Sequence, residues 1–180
     1  MKKKIVFIVN HAAFFVSHRL LLAKEIIKKG WDFHLIVGNP ASKKMEGPAL
    51  RVLKKNKIKF TTTNFKSNFS LNLINEIIAL INIVLILIKI NPNIVHLVSP
   101  KAILLGGLAC KITNKKNIVI AISGLGSLIT FKKSIFHKIA QKIYFFSLKN
   151  FIYGKNTKII FQNYDDKNFI KKKLKLKKNN

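Results

Sequence analysis

Residues 4–37 read KIVFIVNHAAFFVSHRLLLAKEIIKKGWDFHLIV, and the order of patterns within them decides the fold. Five consecutive apolar residues, Ile5, Val6, Phe7, Ile8 and Val9, fill a strand-length run over 4–10. An unbroken apolar run of that length suits a strand buried on both faces. Residues 18–29 then change to a helical period, with Ser17 placed to cap the start and Gly30 to close the end in the left-handed conformation. A second apolar run follows over 31–37. Strand, helix and strand in this order build a parallel pair with its crossover helix.

The same alternation runs on from there. A polar stretch over 38–47 leads to a short helix over 48–55 and a third strand over 59–64. Residues 70–90 form the most apolar helix, stopped by Pro92. Strands over 93–98, 117–123 and 158–163 then alternate with helices over 100–112 and 132–151. A last helix over 165–175 opens on Asp165 and Asp166, which suit its positive end. The expected fold is a single α/β domain: a Rossmann-like open parallel sheet with helices on both faces, over 1–164, then a terminal helix and basic tail over 165–180. A chain of 180 residues fits one domain with a real core.

Composition narrows the function. The chain carries 34 basic and 6 acidic residues, a net charge of +28, which draws anionic partners. Arg19 and Arg51 are the only arginines, whereas nucleic-acid surfaces favour arginine for bidentate contacts. Lysine, isoleucine and asparagine are also abundant, as an AT-rich genome would make them, so charge alone gives no reason to expect a nucleic-acid partner. Cys110 is the single cysteine, which rules out an intramolecular disulfide, and no Cys/His cluster has zinc spacing, so no metal site is expected. The helix over 70–90 raises the question of a membrane span. It carries Asn72, Asn75, Glu76, Asn82 and Lys89, which favours a core or interfacial helix.

In an open parallel sheet, ligands bind outside the carboxyl ends of the strands. Three loops therefore matter. The first, over 10–19, offers Asn10, His11, Ser17, His18 and Arg19, with Arg19 suited to bidentate pairing with a phosphate or carboxylate. The second, over 96–101, offers His96, Ser99 and Lys101. The third, over 123–127, offers Ser123, Gly124 and Gly126, whose glycines allow backbone amides close to a bound group. The sequence has no Walker loop, and HAAFF stands after strand one in place of a dinucleotide fingerprint, against an NTPase or a dehydrogenase. Glu25 and Glu76 are placed on helices away from the crevice, so paired-carboxylate chemistry is hard to build. No cofactor is expected.

Taken in order, 4–38, then NIVHLVSPKAILLGGLACKI over 93–112, IAISGLGSLIT over 120–130 and KIIFQNYDD over 158–166 resemble the N-terminal domain of glycosyltransferase family 4. Its most specific pieces are Ser17, His18 and Arg19; His96, Ser99, Pro100 and Lys101; Gly124 and Gly126; and Gln162, Asn163 and Asp166. The resemblance implies a GT-B fold and retaining, metal-independent sugar transfer in envelope polysaccharide synthesis. It further implies that this half holds a saccharide acceptor, often lipid-linked, in a cytoplasmic protein peripheral at the inner face of an anionic membrane. Where relatives place a histidine after strand five, this sequence reads Ala121, Ile122, Ser123. The donor-binding half is expected from a separate polypeptide or a longer gene of which this is a truncated remnant. A non-catalytic binding module at the membrane surface is the alternative.

Overall fold

The computed structural model describes residues 2–39, 43–66, 73–123 and 135–174. Six strands, β1 Lys4–Val9, β2 Asp32–Asn39, β3 Phe60–Lys66, β4 Ile94–Val98, β5 Ile118–Ile122 and β6 Thr157–Phe161, form one sheet in the order 3-2-1-4-5-6. Every pairing is parallel. Seven α-helices are described: α1 Ala12–His18, α2 Leu20–Lys28, α3 Lys43–Lys55, α4 Leu73–Ile90, α5 Pro100–Ile112, α6 Ile135–Ser147 and α7 Tyr164–Leu174. The Rossmann-like architecture expected from the sequence is the one observed.

Two cores explain the layers. On one face, Phe7, Leu35 and Val37 meet Ala12, Phe15, Ala23, Ala49 and Leu53 of α1, α2 and α3. On the other, Val6, Ile8, Val95 and Leu97 meet Ala79, Ile83 and Leu87 of α4, the inner side of α5, and Tyr144 and Ile170 of α6 and α7. Because β1 is covered on both faces, all five residues from Ile5 to Val9 are buried, which is why its run has no polar alternation.

Helix α5 packs tightly on the sheet. A Cβ on Gly106 would sit 2.6 Å from Leu97 Cδ2 and 2.9 Å from Ile8 Cδ1, so only glycine lets the helix backbone approach this near. Gly30 works through its backbone. Its φ is +85°, and the Gly30 and Trp31 amides bond to the Ile27 and Ile26 carbonyls, 2.9 and 3.3 Å, as a Schellman closure of α2 requires. Replacing Gly30 by alanine should lower stability by about 1 kcal/mol, read as a lower thermal midpoint; an unchanged midpoint would mean that this closure tolerates a side chain.

Several boundaries differ from the sequence reading. A helix already starts at Ala12, and Ser17 is not a cap: its hydroxyl bonds back to the Ala13 and Phe14 carbonyls, 3.0 and 3.2 Å. His11 is the cap, its Nδ1 accepting the Phe14 amide at 3.2 Å, and burial of Ala12 and Phe15 secures the turn. Helix α3 begins at Lys43 and holds Pro48 inside it, although proline suits the first turn best. The long helix expected over 132–151 is α6 followed by a π-helical turn, Leu148–Ile152, which buries Leu148 and Ile152 beside α5. The terminal helix α7 buries Ile170 and Leu174 in the main core.

Candidate functional site

The strand order reverses between β1 and β4, so the loops leaving these two strands diverge and open a crevice at their carboxyl ends. Ile8 pairs with Leu97, and the same register carried two residues on sets Asn10 level with Ser99. Val98 pairs with Ala121, which brings Ser123 to the same edge. The starts of the three sequence-predicted loops, Asn10, Ser99 and Ser123, therefore share one edge of the sheet. Gly124 and Gly126 lie outside the described residues.

Ser99 is held at φ +76°, ψ 148°, a conformation that side chains avoid and that costs about 1–3 kcal/mol. Its hydroxyl turns back onto the Val98 carbonyl. Strain of this kind, at the strand end that borders the switch point, fixes the direction in which α5 departs.

His96, on β4 below the crevice, is only 5% exposed and packs against Phe7, the two rings tilted by 40° with centroids 4.3 Å apart. Burial, and then the positive charge of Arg19, push its pKa down to about 4, so the ring is neutral at pH 7. Its Nε2 is buried and has no hydrogen-bond partner among the described residues. Arg19 joins α1 to α2, half-buried, with its guanidinium carbon 6.0 Å from the Phe14 ring centroid and Nη1 donating to the His18 carbonyl at 3.0 Å. Desolvation lowers its pKa, yet a guanidinium stays charged. A cation thus lies near enough to a neutral imidazole to oppose its protonation.

The other expected residues divide. His11 spends Nδ1 on the α1 cap, where it accepts the Phe14 amide, which leaves Nε2 as the nitrogen it can offer elsewhere. Ser17 and His18 are exposed and bond to each other, 2.6 Å, with the His18 ring stacked on Phe14 at 4.7 Å. Lys101 is 2% exposed and turns inward, its ammonium 2.6 Å from the Glu76 carboxylate. The placement of Glu76 away from the crevice is thereby corrected. It lies in the first turn of α4, and a helix that follows a parallel strand begins at the crevice edge.

Sequence reasoning missed Glu46. Its buried carboxylate accepts the Ala12 and Ala13 amides, 2.8 and 3.3 Å, at the start of α1. That is where a doubly wound fold would cradle a ligand phosphate, and here the chain's own anion takes the position. The only signal was a lone acid just before a helical pattern. Two clefts also escaped notice, of about 460 and 390 Å³, at the opposite edge of the sheet where β5 and β6 begin.

A Rossmann-like domain with a six-stranded parallel sheet of this kind is the unit that builds GT-B folds. The chain belongs to the glycosyl transferase 4-like family, whose description matches residues 4–163. No curated protein matches the sequence. Among solved structures, MurG of Acinetobacter baumannii shares the fold with a TM-score of 0.52 at 13% identity, over 66% of this chain and 34% of that one. A putative UDP-N-acetylglucosamine 2-epimerase from Listeria monocytogenes gives 0.56 at 16%, over 81% and 38%. The UDP-GlcNAc 2-epimerase of Methanocaldococcus jannaschii gives 0.50 at 15%, over 81% and 37%. The chain spans little more than a third of each of these proteins, and at such identities the likeness speaks to the fold alone.

Proposed function

We propose that this chain is the acceptor-side half of a sugar transferase that acts on a lipid-linked saccharide of the cell envelope, from the cytoplasmic face of the membrane. The observation that carries the reading is the unsatisfied Nε2 of buried His96 beneath the β1/β4 crevice, with the Arg19 charge near enough to act on that ring. A cation suits the phosphate of a lipid-linked sugar, and an unpaired ring nitrogen suits a sugar hydroxyl. Asn10, His11, Ser99 and Ser123 at the same edge, with Gly124 and Gly126 beyond, would complete the acceptor site. Glu46 at the start of α1 argues against a nucleotide diphosphate there.

Transfer needs positive groups where charge builds on the departing diphosphate. In this reading they come from a donor-binding half, whether carried on the same polypeptide or on another. The 180 residues alone should bind a short-chain lipid-linked saccharide but not UDP- or GDP-sugars, and transfer should require the donor half. Arg19→Ala should weaken acceptor binding about tenfold, and Arg19→Lys should not restore it, because a point charge lacks the planar fork. Calorimetry with these ligands is the test. Micromolar binding of a nucleotide sugar with turnover by these residues alone would sink the half-enzyme reading.

A further inference from the structure

Helix α4 is long and apolar enough, by length and composition, to cross a membrane. Ala79, Ile83 and Leu87 are sealed in the core, and Glu76 is tied to Lys101. The opposite side is bare: Ile74, Ile77, Ile78, Ile81, Leu85 and Ile88 are all exposed, Ile74 at 70% and Ile88 at 60%. Their spacing of three and four residues puts them on one stripe about 21 Å long. In the same layer, α6 exposes Ile139, Ile143 and Phe146, again at helical spacing. An exposed aliphatic stripe of this length is unusual on a free surface.

The lysines indicate what covers the stripe. At the carboxyl end of α4, Lys89 is exposed, Lys4 bonds to the Ile90 carbonyl at 3.1 Å, and Lys115 bonds to Asn91. Lys115 also lines the 390 Å³ cleft with Lys111, Lys116 and Lys155, and no acidic residue shares that lining. An aliphatic stripe ending in a group of lysines is the chemistry of an interfacial helix on anionic lipid. A second copy is a poor occupant, since each chain carries +28. Protein interfaces favour aromatic, methionine and arginine anchors, and the α4 stripe holds only isoleucine and leucine.

We propose that the outer side of the α4–α6 layer docks flat on an anionic bilayer, with the α4 stripe among the upper acyl chains and the lysines at its end on headgroup phosphates. The inference rests on the peripheral placement above and names the surface that achieves it. Because α4 starts at the crevice edge, docking in this pose brings the acceptor crevice to the height of the lipid headgroups, where a lipid-linked saccharide presents its sugar.

The test is flotation of the full chain with phosphatidylcholine vesicles, with and without phosphatidylglycerol. The unmodified chain should float only with phosphatidylglycerol, less so as salt rises. The triple variant Ile77→Gln, Ile81→Gln, Leu85→Gln alters exposed positions and keeps helix propensity, and should lose at least tenfold in vesicle affinity with its circular dichroism unchanged. A fluorophore on Ile81→Cys should shift to the blue on vesicles, and one on Lys54→Cys, on α3 of the other layer, should not. If the triple variant floats like the parent, the face assignment falls while peripheral association stands. Should the parent bind no vesicle at all, both fall. A dimer in sedimentation velocity that the triple variant dissolves, without vesicle binding, would give the stripe to a second copy and overturn the proposal.

Discussion

Lowering the pH from 7 to 4 should cost the folded chain about 3 kcal/mol through His96 alone. Burial comes first among the causes, since a charged imidazolium packed against Phe7 inside the layer loses its hydration; the Arg19 charge adds repulsion. The folded-state pKa is about 4 against an ordinary 6.5, so on acidification the unfolded chain takes the proton first. The stabilisation is complete above about pH 6.5 and is lost as pH falls towards 4. His34, also lowered by burial, works in the same direction. Urea denaturation at pH 7, 5.5 and 4 on the parent and on His96→Gln separates them. The variant should lose about 3 kcal/mol of the parent's decline, whatever its stability at pH 7. Equal declines in the two would show that His96 is protonated in the folded state.

The sheet was legible because β1, β4 and β5 are buried on both faces, and burial of that kind writes itself as the uninterrupted runs around Phe7, Leu97 and Ile120. The crevice followed from the strand ends, which is why Asn10, Ser99 and Ser123 were found together. The start of α1 was misread for a local reason. Ser17 is a good cap by type, but tertiary burial of Ala12 and Phe15 against Phe7 and Phe33 extended the helix backwards to a histidine cap. The pairings that close the site were invisible for a different reason. Glu46 reaches amides 34 and 33 residues away and Lys101 a carboxylate 25 residues away, and no pattern of local period encodes such contacts. His96 showed only as a lone histidine in an apolar strand; its proximity to Arg19 exists once β4 lies beside β1.

Replacing Glu76 by alanine should destabilise the chain by about 3 kcal/mol. Lys101 lies in the first turn of α5 at 2% exposure, and an ammonium so placed has given up its hydration. The carboxylate 2.6 Å away offsets that loss, and both charges sit at helix starts. There Glu76 suits the positive end of α4 while Lys101 opposes that of α5, so the lysine depends on its partner more than the glutamate does. Removing the lysine should therefore cost less than removing the glutamate: Lys101→Met leaves a carboxylate that is partly exposed and can turn to water. Pairing the two changes, Glu76→Leu with Lys101→Met, should recover most of the loss, since a buried ion pair is often replaced by apolar side chains at little cost. Equilibrium urea unfolding of Glu76→Leu, Lys101→Met and the double variant closes the cycle, with Glu76→Ala measured beside them. A loss below about 0.5 kcal/mol for Glu76→Ala would mean that water reaches Lys101 and that the two helix starts are not joined at the mouth of the crevice.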